Sequence, residues 1–301
     1  MKKITILFAA VVLLFGVSSM QSCKSSSKAA GSTMFKFNLE KGKGYDYELQ
    51  WDLDTKVQGS ATKVSITGLY SMLVSDVQGD VRSVTTSYKK IHMNMNVMGM
   101  EIDIDSDKPQ GNDDTDPAKN PLGMMNKMIS SLVDKPFVIK VNEEGKVLEV
   151  DGFEKIIEDM INTLTVDESA KAQARASMKD QFSEQNIKDQ FAQVFYIFPN
   201  KEIKVGDTWE KSYSTGGKMA ANNTTVFTVK SIEGDHVSLT TKTKIKSAGE
   251  QDLEGEQSGN VLVDSKTGLM INAEFDQDIT VKAQGQNVTV TGKGKIKGKA
   301  H

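Results

Sequence analysis

A chain of 301 residues with 38% hydrophobic and 26% charged side chains, five prolines and 24 glycines has an ordinary globular composition, which excludes a disordered, collagenous or multi-span membrane protein. Its net charge of −3 carries no basic footprint of the kind nucleic-acid binders show. Its one cysteine, Cys23, can form neither an intramolecular disulfide nor a structural zinc site.

In chain order, Lys2 and Lys3 precede an uncharged run from Ile4 to Val17 and a small, polar stretch that ends in Ser22. This is the order of a signal peptide, and a run of about 14 residues is short of the roughly 20 that span a bilayer. Cys23 then sits where a lipobox places the cysteine that is acylated and becomes the new N-terminus. Residues 1–22 therefore read as signal peptide, and 23–33 as a lipidated cysteine with a Ser-, Lys-, Ala- and Gly-rich tether that cannot bury a core. Removing 1–22 takes away two lysines and lowers the net charge from −3 to −5. Membrane attachment would then rest on the acyl chains rather than on charge.

The body divides into a first β-rich module over 34–150, a helical insertion over 151–198 and a second β-rich module over 199–301. Alternation with period two predicts strands at 35–51, 64–77, 81–97, 100–107, 138–150, 224–232, 237–247, 259–264, 269–282 and 287–297. Turn residues separate them at Gln78-Gly79-Asp80, Met98-Gly99, Glu144-Gly145, Glu233-Gly234-Asp235, Thr267-Gly268 and Gly285-Gln286. Helical spacing appears near 122–132, in Leu122, Met125, Met128, Ile129 and Leu132 after Pro121. It recurs near 153–164 behind an Asp151 cap, and over 184–198 behind Ser183, ending at Pro199. Between the last two, 167–181 is alanine-rich and polar, helical by propensity with little to bury. Helices and strands are segregated, an α+β layout that is mostly antiparallel β.

Aligning 74–89 with 229–244 pairs Val74/Val229, Gly79/Gly234, Asp80/Asp235, Ser83/Ser238, Thr85/Thr240, Thr86/Thr241 and Lys89/Lys244 without a gap. Each half also carries a second hairpin of similar grammar, around Glu144-Gly145 and around Thr267-Gly268. Convergence of any Gly-Asp hairpin on this look competes with duplication; two related β modules is the more economical reading.

Three constellations bear on chemistry. Met93, Met95, Met98 and Met100 beside His92 invite a soft-metal site. A two-residue turn at Met98-Gly99, however, puts Val97 opposite Met100, Met95 opposite Ile102 and Met93 opposite Ile104, one apolar face, with His92 on the other. The face reads as core or as an adaptable apolar ligand surface. The acidic run Asp103, Asp105, Asp107, Asp113, Asp114 and Asp116 opens like a calcium loop, but Lys108-Pro109 stands where that loop needs glycine, and a solvated acidic loop is the better reading. Three histidines, no nucleophile elbow, no phosphate loop and no zincin helix leave no catalytic pattern and no cofactor motif, so a non-enzyme is expected. In the last strand Lys293, Lys295, Lys297 and Lys299 share one parity and Gly292, Gly294 and Gly298 the other, the grammar of a protected edge strand or of a headgroup contact.

The segment from Pro199 to Trp209, with Phe37-x-Leu39-x-x-Gly42 near the mature start, resembles an uncharacterised family of Bacteroidetes-type lipoproteins. The stretch from Val263 to Leu269 is similar to a hairpin of periplasmic lipoprotein carriers of the half-barrel type. The resemblance implies an envelope lipoprotein with no assigned activity. The lysines of Lys24-Ser25-Ser26-Ser27-Lys28, in place of acidic residues after the cysteine, imply an outer-membrane anchor facing the periplasm.

The expected architecture is a curved sheet or half-barrel from two duplicated modules, its concave face covered by the helices. The expected lining is Met93, Met95, Ile102 and Ile104 from the sheet, and Met125, Met128, Ile129, Phe191 and Phe195 from the helices. The expected function is binding of an apolar ligand or lipid there. A scaffolding lipoprotein that contacts envelope proteins is the alternative.

Overall fold

The computed structural model describes residues 31–57, 60–97, 100–108, 121–162, 164, 166–181, 183–216, 220–249, 251–283 and 286–301. Cys23, the signal segment, the Met98-Gly99 turn, and Asp113, Asp114 and Asp116 lie outside the described residues. The first half contains β1 (Thr33–Phe35), β2 (Gly44–Val57), β3 (Ser60–Gln78), β4 (Val81–Val97), β5 (Met100–Asp105), α1 (Pro121–Ser130), β6 (Phe137–Val141) and β7 (Val147–Asp151). Helices α2 (Phe153–Asn162), α3 (Glu168–Gln181) and α4 (Glu184–Phe195) follow. The chain ends with β8 (Lys201–Ile203), β9 (Thr208–Thr215), β10 (Ala221–Glu233), β11 (His236–Ser247), β12 (Asp252–Asp264), β13 (Met270–Ala283) and β14 (Gln286–Ala300).

The fold is α+β and mostly antiparallel, as expected. A single curved sheet runs β7-β6-β4-β3-β2-β14-β13-β12-β11-β10-β9, with β5 paired to the distal half of β4 and β6 to its proximal half. β1 and β8 form a separate two-stranded ribbon. The sheet does not close: β7 and β9 are its two edges. Helix α4 packs against both of them and so occupies the gap.

Residues on one parity of each strand form a single core, and those on the other parity face solvent. That partition is what period-two sequences dictate once one face is covered. The repeat is visible in the pairing. In β3–β4, Val74 pairs Val84 and Asp76 pairs Ser83, with a bulge between; in β10–β11, Val229 pairs Leu239 and Ser231 pairs Ser238, with a bulge at the same step. Gly79 and Gly234 both adopt φ 60, the left-handed conformation that a tight turn requires and that glycine reaches without strain.

Several expectations need correction. The strand expected over 35–51 is broken: β1 ends at Phe35 in the separate ribbon, and a strap over 36–43 leads into β2, anchored where Phe37 N–H donates to Glu143 O (2.8 Å) and Asn38 N–H to Thr267 O (2.8 Å). Phe35, Phe37 and Leu39 of this segment are buried in the core. The last strand, β14, is central, between β13 and β2. Its lysines each lie across from a carboxylate in register: Lys293 is 2.9 Å from Asp276 and pairs Asp52, Lys295 pairs Glu274, Lys297 pairs Glu48 and Lys299 pairs Asp46. Asp151 is the last residue of β7 rather than a helix cap, and Gly152 (φ 84) makes the turn into α2. The helices do not uniformly cover the concave face. α1 packs on β5, α3 on α2, and α4 fills the gap.

Candidate functional site

The expected lining begins at the β4–β5 hairpin, where the anticipated register holds: Met95 pairs Ile102 and Met93 pairs Ile104, while His92 pairs Asp105 on the opposite face. Met95 and Ile104 are buried; Met93 and Ile102 are partly buried against the same core. On α1, Met125, Met128 and Ile129 are likewise partly buried against that core. Phe191 and Phe195 lie on α4, one turn apart and stacked with centroids 5.8 Å apart. Phe195 also meets Phe37 and Tyr47, and Phe191 meets Phe137 of β6. The nine residues belong to one core, divided between the β4–β5–α1 corner and the α4 gap.

Following the register across the sheet shows what lies between those ends. One inward row reads Trp209, Phe227, Thr241, Gly259, Phe275, Gly294, Trp51, Ile66, Met93, Ile104 from β9 to β5. Phe275 and Trp51 fill the space above the glycines: a Cβ at Gly259 would strike the Phe275 ring, and one at Gly294 the Trp51 ring. The next row toward the opposite end is amphipathic. Lys211, Thr225, Thr243, Gln257 and Gln277 on β9–β13 give way, past Gly292, to Leu53, Val64, Met95 and Ile102 on β2–β5.

All five members of that polar belt are buried. Thr225 and Thr243 satisfy each other with a 2.8 Å hydrogen bond. Lys211 pairs with Glu144, from the β6–β7 turn on the opposite edge, and lies over the Tyr196 ring at 4.3 Å. Gln277 has no partner at either end of its amide, and Thr241 has none for its hydroxyl, although each is only 3% exposed. A buried polar group without a partner costs about 1–3 kcal/mol. A cavity of about 30 Å³ lies here, lined by Lys211, Thr225, Thr241, Thr243 and Gln257 of the sheet and by Ala192, Gln193 and Tyr196 of α4 and its C-terminal turn. That is room for about two waters.

The cover over this cavity is held by side chains. Ser183 caps α4, accepting from Asn186 N–H at 3.3 Å. Glu184 accepts from Val150 N–H of edge strand β7 at 3.3 Å and pairs with Lys188 at 2.8 Å, and these two donors hold its carboxyl below the usual range. At the other end, Trp209 of β9 donates to Ile197 O at 2.8 Å. Burial pushes the Asp189 carboxyl up on α4, against a 2.7 Å hydrogen bond from Gln185, and burial likewise pushes up the phenol of Tyr213 on β9.

Elsewhere the candidate residues are engaged otherwise. Asp105 is buried, accepts from Asp107 N–H at 3.0 Å and lies 3.7 Å from Lys90 and 3.5 Å from Lys108; that hydrogen bond is the chief reason its carboxyl titrates low. His92 pairs with Asp103 at 2.6 Å on the outer face. The outer face over β10–β14 and β2 forms a broad open groove of about 1870 Å³ striped by charge, with Lys242, Lys244 and Lys246 on β11 against Glu254 and Glu256 on β12. The polar belt was missed by sequence reasoning, although its signal was present. Thr225 shares parity with Phe227 and Val229, and Thr243 with Leu239 and Ile245, so both stood at core positions.

Comparison with known proteins gives a family and no activity. The model described as a family of unknown function, DUF6263, matches residues 79–270. No curated protein matches the sequence. Among solved structures, the chain is similar to a protein from Bacteroides fragilis described as exported with a YmcC-like fold, at 10% identity and a TM-score of 0.25, over 85% of this chain and 96% of that one. It is also similar to an outer-membrane channel from Pseudomonas putida, at 6% identity and a TM-score of 0.27, over 87% of this chain and 97% of that one.

Proposed function

We propose that this chain, which belongs to the DUF6263 family of unknown function, is a non-catalytic lipoprotein of the cell envelope that binds an apolar ligand or lipid between its sheet and α4. In this reading the signal segment directs export, and acylated Cys23 holds the body at the outer membrane, facing the periplasm. The observation that carries the binding function is the gap. β7 and β9 do not pair with each other and are bridged by a helix above the buried Thr241 hydroxyl, which lacks a partner. A barrel built only for rigidity would pair its edges, since ladder hydrogen bonds satisfy both strands at once. Displacing α4 exposes the buried side chains Ile187, Phe191 and Phe195, each contributing about 1.5–3 kcal/mol, and leaves the other strands in place. The 30 Å³ cavity is then the closed form of the site.

Native mass spectrometry of wild-type protein extracted from its own membranes tests this. A noncovalent lipid adduct is expected in addition to the mass of the anchor; protein that emerges free of adducts under conditions that keep it folded would remove the binding function. Replacement of Cys23 by serine should move the protein from the membrane pellet to the soluble fraction. The second reading, a scaffold for envelope proteins, draws on the charge-striped outer groove. Crosslinking in cells separates the two, because a scaffold yields a stoichiometric protein adduct and a carrier yields lipid adducts.

A further inference from the structure

We infer that the ligand is an uncharged amphiphile whose hydroxyl- or amide-bearing head sits on β11–β13 beneath α4, and whose acyl chain runs across the strands toward β2–β5. This rests on the proposed binding function and adds the ligand's class and its orientation. Orientation comes from the amphipathic row. Its polar half ends at Gln277 on β13, and its apolar half starts at Leu53 on β2 and continues through Val64 and Met95. From Gln277 to Val64 is three strand spacings, about 14 Å at roughly 4.8 Å each. The glycine at 292 between them presents no side chain of its own, and Leu53 and Gln277 close over it from the two sides, so the polar and apolar halves of the row meet there.

The class of head follows from charge. Of the described side chains lining the cavity, Lys211 alone is charged, and Glu144 pairs with it. A carboxylate or phosphate taken into this interior would lose its hydration with no free cation to replace it, which is strongly unfavourable. On β11–β13 the buried groups without partners are a hydroxyl, at Thr241 in the cavity lining, and an amide, at Gln277 in the neighbouring row. Together they offer donors and an acceptor to a neutral head. The Trp51 and Phe275 rings, stacked with centroids 6.3 Å apart, provide the apolar floor beside them.

The test uses the full chain in detergent and native mass spectrometry, with monolauroylglycerol and laurate added at equal concentration and 1-N-phenylnaphthylamine as a probe without a hydrogen-bonding head of this kind. Monolauroylglycerol should be retained at least tenfold over laurate. Thr241→Val and, separately, Gln277→Leu should erase that preference and leave retention of the naphthylamine unchanged. Thr241→Val is near-isosteric, so it serves if Gln277→Leu does not fold. Retention of laurate at or above the level of monolauroylglycerol overturns the neutral head. An unchanged preference in the folded variants means that water alone satisfies Thr241 and Gln277, and overturns the placement. If wild-type protein retains none of the three, the proposed binding function fails with it.

Discussion

The two halves of the sheet share one hairpin and differ in what they bury beyond it. Around Gly79 and around Gly234 the pairings match residue for residue, bulge included. Past Lys89 and Lys244 they diverge: β3–β4 carries a second bulge at Leu69–Tyr70, which β10–β11 lacks. A bulge shifts the parity of everything that follows. In the first half it brings Ile91, Met93 and Met95 to the inner face, whereas in the second the unshifted strand carries the parity of Thr241 and Thr243, the counterparts of Thr86 and Tyr88, on to Ile245. The end of the sheet near the strap is thus a repeated frame, where Phe37 and Asn38 bond to corresponding turns at Glu143 and Thr267. Beyond it the halves differ across the sheet, apolar at Leu53, Val64 and Met95 and polar at Thr225, Thr243, Gln257 and Gln277.

The largest expected effect comes from breaking what joins the halves. Phe195 is buried and meets Phe37, Tyr47 and Phe191. Phe195→Ala should cost about 3–5 kcal/mol, the usual penalty for emptying an aromatic site, read as a lowered urea midpoint. If α4 were a peripheral ornament, the loss would be below 1 kcal/mol, and α4 amides would exchange no faster than in wild type. The seam between β14 and β2 should respond next. Gly294→Ala drives a methyl into the Trp51 ring, an overpacking worth about 1–3 kcal/mol, with a change in Trp51 fluorescence.

The polar and apolar halves make opposite predictions for the same pair of residue types. Thr243→Val strands the Thr225 hydroxyl, its 2.8 Å partner, and should cost about 1–2 kcal/mol, whereas Thr225→Val combined with Thr243→Val should recover most of it. On the apolar side, Val64→Thr buries a new hydroxyl opposite Leu53 and Met95 and should cost about as much with no partner change to relieve it. Equal behaviour on both sides would dissolve the distinction between the halves.

Much of this was written in local pattern. The hairpins, the Met95–Ile102 register, the Ser183 cap and the repeat follow from alternation, turn residues and capping, all short-range signals. What was not legible is of two kinds. Strand β9 and the first half of β12 alternate weakly, because Glu254, Gly255, Glu256, Gln257 and Ser258 offer no apolar parity; their place is set by neighbours. The central position of β14 depends on pairing with β2 across nearly the whole chain, which no local window records. For the same reason Phe191 and Phe195 could be assigned to a buried helix face, but not to a gap between two edges, and the polar belt emerged only when Lys211 and Gln277 were brought into one row.

The smallest effect distinguishes the two copies of the hairpin at their shared bulge, where Asp76 stands in the first and Ser231 in the second. Asp76 accepts a hydrogen bond from Lys41 at 2.6 Å and another from Gln78 at 2.9 Å, and these hold its carboxyl down at about 2. A carboxyl lowered on folding contributes stability that is complete above its unfolded value near 3.9 and is lost as pH falls toward its folded value. Wild-type stability should therefore carry a small acid-side decline between about pH 4 and 2, weakened by salt because the pair is on the surface. Asp76→Ser copies the second hairpin into the first and should flatten that part of the profile while leaving the neutral-pH fold intact. An identical acid profile in the variant would mean that Lys41 does not tie the strap to the first hairpin in solution, leaving the Phe37 and Asn38 backbone bonds as its tethers.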